Sequence, residues 1–232
     1  MSTETVILVA ARDEAQRIGA TIAALARAFP AARVWVADDG SRDATAEIAR
    51  GADARVVSRE GPPSRRRAAG KGQAMSAAAR AALADVGEVD CLFVLCDGDL
   101  SESAARLGPL AEAVRSGRAD IAVAVFARPA GGGFGIAVGF ARWAIRRRCG
   151  LRTRAPISGQ RAMRGETLRE LLPFAPGYGM EMGMTIDAVC ARHRVLEIDL
   201  DLAHRATGRT LAGFLHRARQ LVDFVRVYAS SR

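Results

Sequence analysis

Short apolar runs alternate along the chain with longer segments of helical period. Residues 5–10 (TVILVA), 34–37 (VWVA), 54–57 and 91–96 read as strands. Residues 15–29, 43–50 and 73–84 between them carry apolar positions at helical spacing. This rhythm predicts an α/β fold of βαβ units, a Rossmann-like, mostly parallel central sheet flanked by helices. Strands this continuously apolar are expected to be buried on both faces.

The second half is less regular. A helix is expected near 101–115, a strand over 120–126, a glycine-rich loop over 128–135, a helix near 179–192, a strand over 195–200 and a basic helix from about residue 211. The stretch 60–72 (EGPPSRRRAAGKG) combines proline, glycine and an arginine triplet and reads as a surface loop. No internal repeat is visible. A length of 232 residues suits one α/β domain with a substantial core, with 1–100 as one half and 101–232 as the other.

Half of the residues are apolar and a quarter charged, the balance of a folding globular chain rather than a disordered one. The net charge of +9 points to an anionic partner: nucleic acid, an acidic membrane surface or a phosphorylated small molecule. Lys71 is the single lysine among 34 basic residues and lies between two glycines. Cys91, Cys96, Cys149 and Cys190 have neither CxxC nor metal-finger spacing and are expected as reduced thiols of a cytoplasmic protein. The first ten residues lack the pattern of a signal peptide, and no apolar run approaches the roughly 20 residues that span a bilayer.

In open α/β sheets, ligands bind beyond the carboxyl ends of the strands. The first strand runs into Ala11-Arg12-Asp13-Glu14, the second into Asp38-Asp39-Gly40-Ser41 and the fourth into Asp97-Gly98-Asp99. For Asp39 and Ser41 alone, helix capping is an equal reading. Asp97 and Asp99, one residue apart after an apolar strand, can offer oxygens to a hard divalent cation that bridges a diphosphate. Lys71 can set a cation against a phosphate near a helix N-terminus. A nucleotide-hydrolysing P-loop is absent, since Gln73 stands where its hydroxyl residue would be.

Taken in order, VILVAARDE, VWVADDGSRDAT, GKGQAM and LCDGDL resemble the family-2-like glycosyltransferases of the GT-A fold. The resemblance implies a nucleotide-binding half over 1–100 and an acceptor-binding half with a C-terminal helix over 101–232. It implies Ala11, Arg12, Glu14, Asp38, Lys71 and Asp97 as donor-binding residues, although Asp13 stands where the family usually has Asn. It implies Mg2+ or Mn2+ on Asp97 and Asp99, with Asp99 the first choice of direct ligand and His204 completing the site. The second half, SGQRAMRGETLRELLPFAPGYGMEMGMTIDA followed by HRATGRTL, resembles polyprenyl-phosphate sugar transferases and glucosyl-3-phosphoglycerate synthases. That match places Glu181 at the reaction centre, with a helix-N-terminal carboxylate stabilised by the dipole as the alternative.

The implied activity is metal-dependent transfer of a hexosyl group from a nucleotide diphosphate sugar to a phosphorylated acceptor, polyprenyl phosphate or a small phosphoglycerate-like molecule. Ser158, Gly159 and the guanidinium groups of Arg128, Arg161 and Arg205 are the candidate acceptor-binding residues, because arginine pairs bidentately with phosphate. Residues 131–148 suit either an anionic membrane interface, which would place the protein at the inner membrane face, or a core helix with a basic end. The C-terminal helix suits either this domain or a homodimer partner. A sugar-phosphate nucleotidyltransferase ranks lower, because residues 9–18 lack its glycine cluster. Nucleic-acid binding ranks lower still, because aromatic stacking motifs are absent.

Overall fold

The computed structural model describes residues 4–58, 70–87, 90–127, 135–202, 223–225 and 227–228. Its seven strands form one sheet in the order β3-β2-β1-β4-β6-β5-β7. The strands are β1 (Glu4–Ala11), β2 (Arg33–Asp38), β3 (Arg55–Ser58), β4 (Cys91–Asp97), β5 (Ile121–Phe126), β6 (Arg161–Arg164) and β7 (Val195–Leu200). The helices are α1 (Ile18–Ala28), α2 (Thr45–Gly51), α3 (Lys71–Val86), α4 (Gly108–Arg115), α5 (Ile136–Cys149), α6 (Gly165–Glu170) and α7 (Met180–Cys190).

The first half follows the apolar pattern closely. β1 and β4 are buried almost throughout because their alternate side chains feed two cores. Ile7, Val9, Val94 and Cys96 face α1 and α4, while Val6, Leu8, Phe93 and Leu95 face α3, α6 and α7. A third, smaller cluster joins Ala141, Ala144 and Ile145 of α5 to Met182 and Ile186 of α7 and to Phe224 and Val227 near the C-terminus. Cys91 and Cys96 are buried free thiols, Cys149 is half-buried and Cys190 is exposed.

The departures lie where local signals are weak. The expected helix over 101–115 is a 3-10 segment over Ser101–Leu107 that continues as α4, with Pro109 in the first turn of α4. The four-residue strand β6 and the short helix α6 were not foreseen from the sequence. β6 runs antiparallel to both neighbours, β4 and β5, whereas the remaining pairs in the sheet are parallel. α3 starts at Lys71 rather than Gln73, which puts the lysine in the first helical turn. All but the last residue of the glycine-rich loop and most of the 60–72 loop lie outside the described residues, as does the start of the C-terminal helix. No helix among the described residues is long and apolar enough to cross a membrane.

Candidate active site

The sheet changes direction of winding at β1. β2 and β3 lie on one side of it and β4 on the other, so the carboxyl ends of β1 and β4 border the switch point at which doubly wound sheets bind ligands. The register is exact enough to align the loops: Ala11 pairs with Asp38 of β2, and Ala10 pairs with Asp97 of β4. In-register neighbours point to the same face and successive residues to opposite faces. Asp38 therefore leaves the sheet on the α1 side and Asp97 on the α3 side, bracketing the crest of β1.

On the α1 side the first two loops lace together. The Asp13 N–H donates to Ser41 Oγ (3.0 Å), the Arg42 N–H to Asp13 Oδ1 (2.8 Å) and the Glu14 N–H to Thr45 Oγ1 (2.8 Å). Asp38 Oδ1 accepts from both the backbone N–H (3.0 Å) and the hydroxyl (2.5 Å) of Ser41, and Arg12 pairs with Asp39 at 3.2 Å. Ser41 thus ties two loops rather than capping α2, whose cap residue is Ala44. Asp13 takes a left-handed backbone (φ 54°), a conformation that Asn and Asp tolerate best among the larger residues, so its place in a usual Asn position is conformationally conservative.

On the α3 side the chain gathers a cation between two carboxylates. Lys71 Nζ pairs with Asp97 Oδ1 and, at 2.6 Å, with Glu181 Oε1 in the first turn of α7. Burial alone would lower the lysine's pKa, but the charges of Asp97 and Glu181 outweigh it and hold the ammonium well above its ordinary value. Gln160 Nε2 donates to Asp97 Oδ2 (2.7 Å), and Ser158 Oγ donates to Gln160 Oε1 (3.1 Å). The antiparallel sense of β6 explains this meeting. With Arg161 opposite Leu95, the residues just before β6 fall beside the carboxyl end of β4. Gly72 lets the head of α3 abut the chain at Ala175, where any side chain would collide with the Ala175 carbonyl.

The turn of Asp97-Gly98-Asp99 is pinned from below. The Gly98 N–H donates to the Ala10 carbonyl (2.8 Å), and the fully buried Thr21 hydroxyl donates to the Gly98 carbonyl (2.8 Å) while accepting from the Ser101 N–H (2.8 Å). Asp99 is half-buried at that turn. Among the described residues no three His, Cys, Asp or Glu side chains are grouped to hold a metal ion. His204, Arg205 and Arg128, all expected at the site, lie outside the described residues.

Arg161 corrects the sequence reading. Expected as a phosphate clamp, it is 1% exposed and spends its donors inside the protein, on the Ser158 carbonyl (3.0 Å), Thr185 Oγ1 (3.0 Å) and the Glu181 carbonyl (2.9 Å). Burial pushes its pKa down to about 10, still charged at neutral pH. It braces the segment before β6 against α7 instead of facing a ligand. Gln160, Thr21 and Thr185 were missed. For Gln160 the available signal was its place in the SGQR string.

Gly159 sits under the ion pair, where an added Cβ would come within 2.7 Å of Lys71 Nζ and 2.8 Å of Asp97 Oδ2. Gly159→Ala is therefore expected to leave the thermal midpoint nearly unchanged, since only side-chain tips must move, while lowering kcat at least about tenfold, because small displacements of positioned groups are costly. A variant with the wild-type kcat would remove Gly159 from the site.

A model of the glycosyl transferase family 2 matches residues 6–167 of the chain. Among solved structures, glucosyl-3-phosphoglycerate synthase from Mycobacterium tuberculosis in complex with Mn2+, UDP-glucose and phosphoglyceric acid is similar, with 27% identity and a TM-score of 0.74 over 98% of this chain and 80% of that one. The complex of that enzyme with phosphoglyceric acid matches with 26% identity and a TM-score of 0.72, covering 98% of this chain and 81% of the other. Its complex with Mg2+ and UDP matches with 26% identity and a TM-score of 0.70, covering 98% and 80%. None of the curated proteins matches the chain.

Proposed function

The chain belongs to glycosyl transferase family 2, and from that premise we propose that it moves a sugar from a nucleotide diphosphate donor to a small phosphorylated acceptor. Lys71 held between Asp97 and Glu181 at the switch point of the sheet is the observation that carries this reading. The similar structures support it, since those proteins were crystallised with UDP-glucose, a divalent cation and phosphoglyceric acid.

Each part of the site has a chemical task. The laced loops of Arg12–Glu14 and Asp38–Ser41 form a preorganised platform for the nucleoside, because their donors and acceptors are already committed to fixed geometry. Lys71, at the head of a 16-residue helix, sets both its own charge and the helix dipole toward the diphosphate. Cleavage of the anomeric bond builds negative charge on the departing nucleotide, and a fixed cation favours that state more than the ground state. Asp97 and Asp99, both hard oxygen donors at one strand end, fit Mg2+ or Mn2+, with His204 as the third ligand expected from the sequence. When bound, such an ion would neutralise charge on the diphosphate.

Glu181 is 5% exposed and lies within 2.6 Å of Lys71. A hydroxyl acceptor benefits from a carboxylate that receives its proton, and Glu181 fills that role for a phosphoglycerate-like molecule. Glu181→Gln keeps the shape and removes the base, so donor affinity should hold while kcat falls about a hundredfold. Undiminished turnover would take Glu181 out of the chemistry.

The assignment is tested by thermal stabilisation of the protein with a panel of nucleotide sugars, with and without Mn2+, followed by product analysis with 3-phosphoglycerate and with polyprenyl phosphate. Metal-dependent stabilisation by a nucleotide sugar and a glycosylated phosphoglycerate product are expected. Transfer to polyprenyl phosphate alone would move the acceptor to the lipid class, and stabilisation by no nucleotide sugar would overturn the transferase reading.

A further inference from the structure

The excess positive charge of this protein is confined to one stretch. Between Ile121 and Gly165 there are nine arginines and no acidic residue, while the rest of the chain balances 25 basic against 25 acidic residues. Four of the nine are committed in the fold: Arg161 is internal, Arg154 pairs with Glu197 and Asp199, Arg164 pairs with Asp90, and Arg148 donates to the Tyr228 carbonyl and lies over its ring. Arg142, Arg146 and Arg147 on α5 are exposed and take part in no salt bridge among the described residues, although one Arg142 nitrogen donates to the Arg154 carbonyl at 2.7 Å.

These three lie on one stripe with the most exposed large apolar side chain among the described residues. Gly139, Arg142, Trp143 and Arg146 recur at i, i+3, i+4 and i+7 along the outer face of α5, while Ala141, Ala144 and Ile145 on the inner face are fully buried. Trp143 is 51% exposed yet fixed, its ring 5.1 Å from Tyr228 and 5.5 Å from Phe140. Val225, the other exposed large apolar residue among those described, at 48%, precedes Tyr228 by three positions in a helical segment and so shares its face.

We propose that this stripe, with Trp143 as apolar anchor and Arg142, Arg146 and Arg147 around it, seats the protein on a bilayer surface that carries anionic headgroups. Such a surface takes both halves of the pattern: an indole prefers the headgroup level, and arginines are drawn to the negative leaflet while their stems lie along it. A second copy of this chain fits poorly, since a two-fold contact would set the same arginines against themselves. A soluble polyanion would engage the arginines and leave Trp143 and Val225 in water.

The test uses the full chain and sedimentation with vesicles of phosphatidylcholine alone or with about one third phosphatidylglycerol. Binding to the mixed vesicles alone, weakening with salt, and a blue shift of tryptophan emission are expected. The shift reports on Trp143, because the other tryptophan, Trp35, is 8% exposed. Combining Arg142→Gln, Arg146→Gln and Arg147→Gln should lower vesicle partitioning about a hundredfold. Trp143→Ser should abolish the shift and weaken partitioning about tenfold. Both variants should keep nucleotide-sugar stabilisation, since neither touches the active site. Absence of binding to anionic vesicles at low salt would overturn the proposal. So would partitioning unaffected by both variants, or heparin binding as tight as vesicle binding and indifferent to Trp143→Ser.

Discussion

Replacing Lys71 by methionine is expected to lower kcat/KM about a thousandfold, the upper range for removal of one preorganised charge-stabilising group. Methionine preserves the length of the side chain and its packing at the head of α3, so the loss isolates the charge. Stability should fall too. Asp97 and Glu181 would then face each other with no cation between them, and breaking one partner from a buried pair costs up to about 3–5 kcal/mol. The cost here is expected nearer the lower end, because the Asp97 side chain keeps 32% of its exposure and can be hydrated. Adding Glu181→Gln removes one of the two opposed charges and should restore most of the melting temperature while leaving activity lost. A double variant as active as Glu181→Gln alone would reduce Lys71 to a structural counterion.

The sequence made the first half of this molecule legible because its signals are local and redundant. Four apolar runs end in carboxylates or turns, and the helices between them carry a clear period; the register of Ala11 with Asp38 and of Ala10 with Asp97 then follows from the parallel βαβ topology. Lys71 could be singled out as the chain's single lysine, flanked by glycines. What could not be read was the partnership of Lys71 with Glu181, which join across 110 positions of sequence because the segment just before α7 packs against the head of α3.

The second half was obscured by two physical features. β6 is only four residues, Arg-Ala-Met-Arg, with arginine at both ends; neither length nor alternation marks it as a central strand, yet Ala162 enters one core and Met163 the other. Its antiparallel direction also cannot be inferred from βαβ rhythm, although it is what delivers Gly159 and Gln160 to Asp97. Arg161 misled for a related reason. Arginine is almost never fully buried without partners, so an arginine beside a candidate site reads as a ligand clamp until the Ser158 and Glu181 carbonyls are seen to claim it.

That internal arginine yields the second large prediction. Buried ion pairs can often be replaced by apolar residues at no cost, which would make Arg161→Met harmless. The partners here argue otherwise: two backbone carbonyls and a hydroxyl receive the guanidinium, and none of them is removed by the substitution. Thr185 Oγ1 still donates to the Glu181 carbonyl at 2.9 Å, but the guanidinium bond to the Ser158 carbonyl is lost. A lost charged hydrogen bond with an orphaned buried acceptor amounts to about 3 kcal/mol, which for a domain of this size lowers the melting temperature by about 6–12 °C. The catalytic effect should fall on kcat rather than on donor KM, because Arg161 braces Gln160 and Glu181 while the loops proposed to hold the nucleoside lie on the opposite face of the sheet. Arg161→Lys can restore one of the three bonds and should recover part of both losses. A methionine variant that melts with the wild type, or one whose defect lies in donor KM alone, would show that the brace does not position the site.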